Sequence, residues 1–505
     1  MRILIIGSGP VGSTFARVLS EGRQDAQILM VDAGPKLGRR LGLNVKNLSS
    51  DAERLAAQIR SQGPAQWTYP NLSIHERAAA KPGDLGKLAR PGTHLVTLDE
   101  DELSASGMPA AAMSTNVGGM GAHWTCACPR PGNAEQIPFI PSAELESVLR
   151  EAERLLCVSS EVFPNTREGE AIENALGRLF NSRLPAEGRV RRMPLACRVA
   201  GDARIWSGSD TVLGSLAEPG ADHRFEVRSE TICRRLITRN ERVFSAVLEH
   251  LPTGQRSEIQ AEVVVVAADS LRTPQLLWAS GIRPRALGHY LNDHMWTFAA
   301  VSLHPEFVYS RGASAYRSAD NTIGVFQVPF HAPSHPYHGQ VMHMDVSPVG
   351  LDGGSAPDAK HVVGMGWSGT KELRYEDCVT FSEDKMDYFG MPRMQIEYQL
   401  TAADRTTIEA AAREQAQAAA ALGTPVFSDR PLLVPCGTSL HYQGSIRMGQ
   451  TDDGESVCNS YSRVWGFSNL FVGGNGVIPT ATACNPTLTS VALAARAAQR
   501  IVEST

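Results

Sequence analysis

A glycine-rich turn near the amino terminus restricts the fold of this chain more than any other feature of its 505 residues. Residues 7–12 read G-S-G-P-V-G and match the pattern G-x-G-x-x-G. The apolar run at residues 2–6 predicts a buried strand before the turn, and the apolar spacing over residues 10–20 predicts a helix after it. Residues 27–31 predict a second strand that ends on Asp32. The spacing therefore predicts a β-α-β unit, which is the beginning of a doubly wound sheet.

The turn has the residues that a dinucleotide site requires. Gly7 permits the tight turn, Gly9 lets the backbone approach a pyrophosphate, and Gly12 lets the helix pack closely on the strand. The helix amino terminus offers N–H groups and partial positive charge to the anion. Asp32 follows about 20 residues later, where a carboxylate can accept hydrogen bonds from ribose hydroxyls. The predicted cofactor contacts in this unit are Gly7, Gly9, Pro10, Val11, Gly12, Asp32 and Ala33.

Length, charge and cysteine usage exclude several classes of protein. A chain of this length exceeds one ordinary core, so we expect two intimately connected domains. The formal net charge of −5 argues against a nucleic-acid partner. Nine scattered cysteines have no disulfide-type or metal-ligand spacing, and no segment reads as a signal peptide or a membrane span. We therefore expect a cytoplasmic protein without a metal or a membrane partner. No segment reads as a dedicated oligomerisation arm, so we expect a monomer.

Four segments after residue 260 carry longer motifs. Residues 263–277 read V-V-V-V-A-A-D-S-L-R-T-P-Q-L-L and residues 287–294 read L-G-H-Y-L-N-D-H. Residues 469–479 read N-L-F-V-G-G-N-G-V-I-P and residues 484–489 read C-N-P-T-L-T. Together these segments resemble the glucose–methanol–choline (GMC) oxidoreductases, which are FAD flavoproteins that oxidise alcohols. The glycine turn alone left FAD and NAD open, and the resemblance favours FAD.

Further segments indicate one branch of that family. Residues 114–129 read S-T-N-V-G-G-M-G-A-H-W-T-C-A-C-P and resemble the flavin-attachment segment of pyranose 2-oxidases. Residues 440–449 and 462–471 resemble the same branch, whose bacterial members of similar length include glycoside 3-oxidases acting on C-glycosides. The resemblance implies FAD contacts at Val117, Gly118, Gly119, Met120, His123, Trp124, Thr125, Cys126, Ala127, Cys233, Ala268, Gly474, Asn475, Asn485, Pro486 and Thr487.

The predicted fold class is α/β, with a Rossmann-like FAD-binding domain and a second, sheet-based substrate-binding domain, as in the GMC fold. The hydrophobic pattern predicts a β-meander over residues 225–268, with segments at 225–227 and 243–248, and a helix over 404–421. Both ends of the chain are predicted to build one domain and the middle another. The FAD-binding domain is assigned residues 1–150, 205–298 and 435–505, with a surface excursion at about 34–112, and the substrate-binding domain residues 151–204 and 299–434.

Departures from the fungal pattern bear on how the flavin is attached. Residues 121–122 are Gly-Ala where the fungal pattern has Ser-Thr, immediately before His123. A covalent bond through His123 is therefore possible but not favoured. Ser445 and Ile446 replace a Thr-His pair, and Asp269 stands where many members have glycine.

Two residues are predicted to be catalytic. Asn485 and Pro486 read as the N-cap and first residue of a final helix, whose amino terminus suits charge that builds on a reduced flavin. His441 lies in the preceding loop, and a histidine titrates near neutral pH, so it can take a hydroxyl proton. A purely structural histidine is the alternative that the residue alone leaves open; the resemblance favours the general base.

The middle of the chain is predicted to cover the substrate face of the flavin. Residues 338–345 read H-G-Q-V-M-H-M-D and place Gln340, His343 and Asp345 near a predicted strand end. Polar side chains suit a sugar because every unmatched buried hydroxyl is costly. We predict substrate contacts at these three residues and at His441 and Asn485, with a solvated strand face as the alternative.

The resemblance implies oxidation of a secondary ring hydroxyl of a pyranose. Hydride would pass to flavin N5 with His441 as the base, and O2 would reoxidise the flavin to give H2O2. Chain length and the departures near His123 and His441 favour carbon 3 of a glycoside, including C-glycosides, over carbon 2 of free glucose. Three alternatives remain: a sugar dehydrogenase with a quinone-type acceptor, an NAD-binding protein, and a non-oxidative lyase or binding protein that keeps FAD.

Overall fold

The computed structural model of the chain describes residues 1–63, 90–97, 102, 107–201, 203–307, 324–343, 362–426 and 428–504. The α-helices in these ranges are α1 (Pro10–Gly22), α2 (Asp51–Arg60), α3 (Ser142–Leu156), α4 (Arg167–Phe180), α5 (Ser209–Leu213), α6 (Asp269–Ala279), α7 (Ala402–Leu422) and α8 (Thr487–Ser504). The β-strands are β1 (Arg2–Ile6), β2 (Gln27–Val31), β3 (His94–Leu95), β4 (Ala112–Met113), β5 (Val158–Ser159), β6 (Arg191–Arg192), β7 (Leu195–Ala200), β8 (Ala203–Trp206), β9 (Phe225–Arg228), β10 (Thr231–Arg239), β11 (Arg242–His250), β12 (Gln255–Gln260), β13 (Val263–Val266), β14 (Met295–Leu303), β15 (Val325–Val328), β16 (Tyr337–His343), β17 (Val362–Gly369), β18 (Cys378–Met386), β19 (Pro392–Glu397), β20 (Gly423–Pro425), β21 (Leu432–Leu433), β22 (Met448–Gly449), β23 (Cys458–Asn459) and β24 (Leu470–Val472).

Five strands form a parallel sheet in the order β24-β13-β1-β2-β9. The four valines of β13 are all buried, as expected for a parallel strand covered on both faces. The helix α1 follows the central strand β1, and α8 packs against α1. The predicted β-α-β unit and the doubly wound sheet are confirmed.

The edge strand β9 corrects one prediction. Residues 225–227 are predicted to begin the β-meander, and this prediction is wrong. The strand β9 pairs in parallel with β2, with Phe225 opposite Ile28. Glu230 then adopts a left-handed backbone conformation with φ of 52°, which turns the chain out of the sheet. The meander consists of β10, β11 and β12, which pair in antiparallel order.

A residue in the left-handed backbone conformation joins β13 to α6. Asp269 has φ of 74°, a conformation that costs glycine least and that aspartate tolerates better than most residues. One oxygen of its carboxylate accepts hydrogen bonds from the backbone N–H groups of Leu271 (2.6 Å) and Arg272 (2.9 Å). The aspartate thus keeps the turn that glycine makes in many members of the resembled family, and it also caps the helix.

A second sheet is antiparallel and runs in the order β20-β14-β17-β16-β15-β6, with β21 also paired to β14. The helix α7 packs against β14 and β17, and α4 contacts α7. Trp367 of β17 is fully buried in the core that these elements share with Phe180 of α4. Thr401 caps α7 by accepting a hydrogen bond from the N–H of Asp404 (3.1 Å), so the helix predicted over 404–421 begins two residues earlier, at Ala402.

The two sheets approach one another at the loop that precedes α8. Gln340 of β16 lies on the antiparallel sheet and reaches Asn485 of that loop. The active-site candidates therefore lie between the two sheets. Among the described helices, none has the length and apolar character needed to cross a membrane.

Candidate active site

The glycine turn between β1 and α1 is held by backbone contacts. Gly7 has φ of 104°, and a Cβ atom there would lie 2.2 Å from the carbonyl oxygen of Ala267. A Cβ atom at Gly12 would lie 2.0 Å from the carbonyl oxygen of Gly7. At Gly9 the nearest atom to such a Cβ is 3.9 Å away. The first and third glycines are therefore required by the protein itself, whereas the second leaves open space for a ligand.

Asp32 closes the turn at the end of β2. Its carboxylate accepts hydrogen bonds from the N–H of Ser8 (3.1 Å), the hydroxyl of Ser8 (2.5 Å) and the N–H of Gly34 (2.9 Å). Burial raises the pKa of Asp32 to about 6, and these hydrogen bonds oppose the rise. The carboxylate holds the turn against β2 and also borders the cavity described next.

A cavity of about 240 Å³ opens beside the turn. Its walls come from the turn, the segment around residues 112–121, the start of α6 and the start of α8, and they are largely apolar. The sequence-predicted cofactor residues that line it are Gly7, Gly9, Pro10, Val11, Asp32, Ala33, Gly119, Met120, Trp124, Cys233, Ala268, Gly474, Asn475 and Thr487.

Other predicted cofactor residues lie behind that wall: Gly12, Val117, Gly118, His123, Thr125, Cys126, Ala127, Asn485 and Pro486. Gly118 supports the wall, because its N–H donates to the hydroxyl of Ser8 (2.8 Å). Cys126 is fully buried and Ala127 bridges to Leu195, since the chain enters the core after residue 125. Contact of these residues with a cofactor stays a prediction.

His123 is packed between the cavity wall and the interior. Its Nε2 lies 2.9 Å from the hydroxyl of Ser61, and its Nδ1 has no hydrogen-bond partner among the described residues. A Cβ atom at Gly92 would lie 2.6 Å from the ring. Burial lowers the pKa of His123 to about 4, so the ring is neutral at pH 7. Its neighbours Met120 and Trp124 line the cavity.

The structure brings three predicted residues into one hydrogen-bonded chain. The side-chain N–H of Gln340 donates to the amide oxygen of Asn485 (2.6 Å). The amide nitrogen of Asn485 lies 3.4 Å from Nε2 of His441. Leu440 and Tyr442, on either side of His441, both line the cavity, as does Thr487 just after Asn485. The chain of side chains therefore adjoins the cofactor cavity from the side of the antiparallel sheet.

A second histidine continues this chain. Nδ1 of His441 lies 2.7 Å from Nε2 of His294, and the two rings meet edge to face. Nδ1 of His294 lies 3.3 Å from the backbone carbonyl oxygen of Thr482. Burial lowers the pKa of His294 to about 4. Burial, followed by the nearby His294, Arg90 and His338, lowers the pKa of His441 well below its usual range. Both rings are therefore neutral at pH 7, and His441 is ready to accept a proton.

Asp293 holds the loop that carries His441. Its carboxylate accepts hydrogen bonds from the hydroxyl of Ser439 and from the N–H of Gly437 (3.2 Å). The hydroxyl of Ser439 in turn accepts from the N–H of His441 (2.9 Å). Burial raises the pKa of Asp293 to about 7, and the hydrogen bond from Ser439 opposes the rise. Residues 437–441 are thus tied to the strand end that also supplies His294.

Asn485 does not cap the last helix, which corrects the predicted N-cap and first helical residue. The helix α8 begins at Thr487, and the carbonyl oxygen of Pro486 accepts from the N–H of Ser490 (2.9 Å). Pro486 therefore occupies the position before the helix. The side chain of Asn485 is instead hydrogen-bonded to Gln340 and His441.

A buried carboxylate anchors the loop before α8. Glu135 is 2% exposed, and one of its oxygens accepts from the N–H groups of Ala483 (2.6 Å) and Cys484 (3.0 Å). Its other oxygen accepts from the N–H of Gly132 (2.6 Å). Burial raises the pKa of Glu135. Because Asn485 follows directly, Glu135 contributes to the position of the Asn485 side chain.

The other two predicted substrate residues are not brought to this chain. His343 lies three positions after Gln340 on β16, so the alternation of a strand puts the two side chains on opposite faces. His343 is therefore not part of this hydrogen-bonded chain, and its contact with a substrate stays a prediction. Asp345 lies outside the described residues. The neighbour of Gln340 on its own face is Gln327 of β15, whose amide atoms have no described hydrogen-bond partner.

Sequence reasoning missed several supporting residues. Asp293 and His294 end the motif over residues 287–294, so the signal was present but no role was inferred from it. Ser8 occupies the variable position of the glycine turn, where most residue types are allowed. Glu135 lies in a Pro- and Gly-containing loop with no recognisable pattern.

Comparisons with known proteins agree with this architecture. Two family models, both described as GMC oxidoreductase, match residues 201–296 and 378–494. The C-glycoside 3-oxidases of Microbacterium trichothecenolyticum and Arthrobacter globiformis are each 43% identical to the chain. The alignments cover 99% of this chain and 96% and 95% of those proteins. A pyranose 2-oxidase of Tricholoma matsutake is 30% identical, over 99% of this chain and 93% of its own length. The solved structure of pyridoxine 4-oxidase from Mesorbium loti superposes with a TM-score of 0.60 at 17% identity, covering 100% and 99% of the two chains, and supports the fold alone.

A doubly wound parallel sheet with a glycine turn beside a large apolar cavity, joined to an antiparallel sheet, defines a dinucleotide-binding protein. The chain belongs to the GMC oxidoreductase family, within the branch that contains C-glycoside 3-oxidases and pyranose 2-oxidases. The predicted family and its fold are confirmed.

The family depends on FAD, and the residues present fit that cofactor. The turn leaves room at Gly9, where a pyrophosphate would approach the start of α1. The first turn of α8 presents Thr487 and Ser490 to the cavity, so a helix amino terminus faces the space for the flavin. The apolar walls match a ring system that must be shielded from water.

Proposed function

We propose that the protein oxidises a secondary ring hydroxyl of a pyranose, with carbon 3 of a glycoside, including C-glycosides, favoured over carbon 2 of free glucose. The observation that carries the proposal is the chain Gln340–Asn485–His441 at the edge of the cofactor cavity. It places a neutral imidazole and an amide donor together where a hydroxyl must lose a proton.

His441 acts as the general base in this proposal. Its Nε2 faces Asn485, and its pKa is depressed by burial and by neighbouring His294, Arg90 and His338, so the ring is unprotonated at pH 7. The hydroxyl proton moves to Nε2 of His441, and a hydride leaves the carbon that carries this hydroxyl. Asn485 donates to the oxygen of the substrate and keeps it within reach of the base. Bound FAD would accept the hydride at N5 and pass the electrons to O2, which gives H2O2.

The antiparallel sheet supplies polar groups for the remaining hydroxyls of a sugar. Gln340 and Gln327 are cross-strand neighbours on one face, and the amide atoms of Gln327 have no partner in the described part of the chain. An unmatched buried amide costs about 1–3 kcal/mol, so a ligand that supplies hydroxyl partners gains affinity there. An apolar alcohol would leave these groups unmatched.

The relatives support the choice of carbon 3. The two proteins named C-glycoside 3-oxidase share 43% of their residues with this chain, whereas the pyranose 2-oxidase of Tricholoma matsutake shares 30%. Gly121 and Ala122 precede His123 in place of the larger Ser-Thr pair of the fungal pattern, and Gly121 lines the cavity. A sugar can rotate by one ring position where such groups are smaller.

We further propose that FAD is held without a covalent bond. Nε2 of His123 is directed to the hydroxyl of Ser61 at 2.9 Å, and Nδ1 is enclosed by protein. Neither nitrogen lines the cavity. Acid denaturation followed by centrifugation should therefore leave the yellow cofactor in the supernatant, and flavin that stays with the pellet would contradict the proposal.

Product analysis tests the reaction directly. The purified protein is incubated with glucose and with an aryl C-glucoside, and the keto carbon is assigned by NMR while peroxide and dye reduction are measured in parallel. A 3-keto product with faster turnover of the C-glucoside supports the proposal. A 2-keto product from glucose contradicts the carbon-3 assignment, and dye reduction without peroxide contradicts the role of O2.

A further inference from the structure

We propose that His294 is a positioning residue that holds His441 in the tautomer with a proton on Nδ1 and a bare lone pair on Nε2. The inference rests on the proposed role of His441 as the base. It assigns a role to a histidine that does not line the cofactor cavity and that acts only through its neighbour.

The direction of the hydrogen bonds follows from the backbone end of the chain. The carbonyl oxygen of Thr482 can only accept, so Nδ1 of His294 carries the proton across the 3.3 Å contact. A neutral imidazole has one N–H, which leaves Nε2 of His294 as an acceptor. Nδ1 of His441, 2.7 Å away, must then donate to it. His441 is neutral, so its Nε2 has no proton.

The hydrogen bonds of Gln340 and Asn485, on the other side of His441, require the same tautomer. Gln340 donates to the amide oxygen of Asn485, so the amide nitrogen of Asn485 is the group turned toward His441. An amide nitrogen can only donate, so it requires an acceptor at Nε2 of His441. At 3.4 Å the hydrogen bond from Asn485 to Nε2 of His441 is long and therefore weak. The hydroxyl of a bound substrate can replace Asn485 as the donor to this lone pair.

Wrong tautomers disable a base without displacing it. With the proton on Nε2, His441 would present a donor to the substrate hydroxyl and could not take its proton. After the transfer, His441 carries N–H groups on both sides, and the lone pair of His294 stabilises the charge at Nδ1. His294 itself gains no proton, because burial lowers its pKa to about 4. A third group that orients a catalytic imidazole is a general device of acid–base sites.

Charged and titratable neighbours surround the pair. Arg90 and His338 face His441 and lower its pKa, after burial. Asp293 lies on the same strand end as His294 and holds the loop through Ser439. None of these groups lies between the two rings at 2.7 Å, so the tautomer is decided by the direct contact.

The test compares three side chains at position 294. His294→Gln retains an acceptor oxygen close to the position of Nε2, whereas His294→Leu removes it. Protein labelled with ¹⁵N in its histidine rings is examined by NMR without substrate, and His441→Ala identifies the signals of residue 441. We expect Nε2 of His441 to be unprotonated in the wild type and in His294→Gln, and protonated in a large fraction of His294→Leu.

Anaerobic flavin reduction gives the second measurement. We expect the limiting rate to fall about a hundredfold in His294→Leu, the scale of a lost general base, and to stay within about threefold in His294→Gln, with KM and FAD content unchanged in both. An unprotonated Nε2 in His294→Leu, or equal loss in the two variants, overturns the proposal. Should His294→Leu not fold, His294→Asn, whose amide is one methylene shorter, replaces it. If the wild type reduces no flavin with any sugar, the proposed function fails while the NMR measurement still decides the tautomer.

Discussion

The glycine turn and the hydrogen-bonded side chains from Gln340 to His294, which we call the catalytic chain after its proposed role, are built in opposite ways. The turn is made of consecutive backbone: a Cβ atom at Gly7 or at Gly12 would collide with carbonyl oxygens, and no side chain of the turn has to reach far. The catalytic chain is made of side chains from β16, from the end of the 287–294 segment, and from two loops near the carboxyl end. The first can be recognised in a short piece of sequence, whereas the second exists only after both sheets have assembled.

The difference predicts unlike responses to substitution. Changes at Gly7 or Gly12 should act on folding, and through folding on cofactor binding, whereas a change at Gly9 should act on cofactor binding alone. Changes in the catalytic chain should alter the reaction and leave folding intact, because its residues lie on elements that separate hydrophobic cores already stabilise. The following predictions test this separation in order of decreasing effect.

Gly12→Ala should have the largest effect. The added Cβ would lie 2.0 Å from the backbone oxygen of Gly7, which has no free rotation to relieve the contact. We expect a loss of stability of about 4 kcal/mol or more and no recovery of FAD-containing protein. Gly9→Ala is the matched control, since its Cβ meets nothing nearer than 3.9 Å. The Gly9 variant should fold, with a melting temperature of the apoprotein near that of the wild type, but bind FAD weakly. If both variants fail to fold, or if both fold and bind FAD, then Gly12 and Gly9 do not have the different roles described here.

His441→Ala should leave FAD bound and lower the rate of flavin reduction by sugar about a hundredfold or more, because the hydroxyl proton loses its acceptor. Anaerobic stopped-flow absorbance measures the rate, and the flavin spectrum measures occupancy. His250→Ala, at a partly exposed position on β11, is the control and should react like the wild type. A His441 variant that reduces flavin at the wild-type rate would place the base elsewhere.

Gln340→Leu should have a smaller effect on the same reaction. Without the hydrogen bond from Gln340, the amide of Asn485 is free to rotate and presents its oxygen to His441 for part of the time. We expect flavin reduction to fall about tenfold, the cost of about 1.4 kcal/mol in orientation. Gln395→Leu changes an exposed glutamine on β19 and should leave the rate unaltered. A rate loss shared by both variants would indicate a general effect on stability.

The smallest predicted effect concerns a buried histidine behind the cofactor cavity. His94 contacts the hydroxyl of Thr115 through Nε2 (2.9 Å), and burial, followed by Arg272, lowers its pKa to about 3. Below its ordinary pKa of about 6.5, the unfolded chain takes a proton that the native state does not, so stability falls as the pH decreases toward about 3. His94→Gln removes the titrating imidazole and, with it, this dependence of stability on pH. The difference in unfolding free energy between wild type and variant should shrink by about 0.7 kcal/mol from pH 7 to pH 6 in urea titrations. A difference that stays constant with pH would mean that His94 titrates normally in the native state.

The sequence predicted local structure well and the origin of each side-chain contact poorly. The strand, turn and helix around Gly7 depend on neighbours within a few residues, so their pattern was sufficient. The strand β9 was misplaced because pairing with β2 depends on a partner almost 200 residues away, which no local spacing records. Asn485 and His441 were found through a family resemblance, and their roles stay predictions. Their contact with His294 could not be foreseen, because it depends on how the strand end at residue 294 meets the loop at residue 441.

The substrate contacts show the same limit on a finer scale. Gln340 and His343 lie in one short motif, and the motif does not state which face each occupies. The register of β16 against β15 and β17 decides this, and it sends the two side chains to opposite faces. A polar motif on a strand therefore predicts a site only at every second position.

The tether at Glu135 has an evolutionary consequence. Its carboxylate holds the loop before α8 through the backbone N–H groups of Ala483 and Cys484. Every residue except proline carries such a group, so substitutions at Ala483 or Cys484 keep these two hydrogen bonds. Substitutions at Ala483 and Cys484 can then change the packing beside Asn485 one at a time, while the Asn485 amide keeps its position against His441. An active site whose substrate range changes in evolution gains from an anchor of this kind, because neighbouring side chains can change without first moving Asn485.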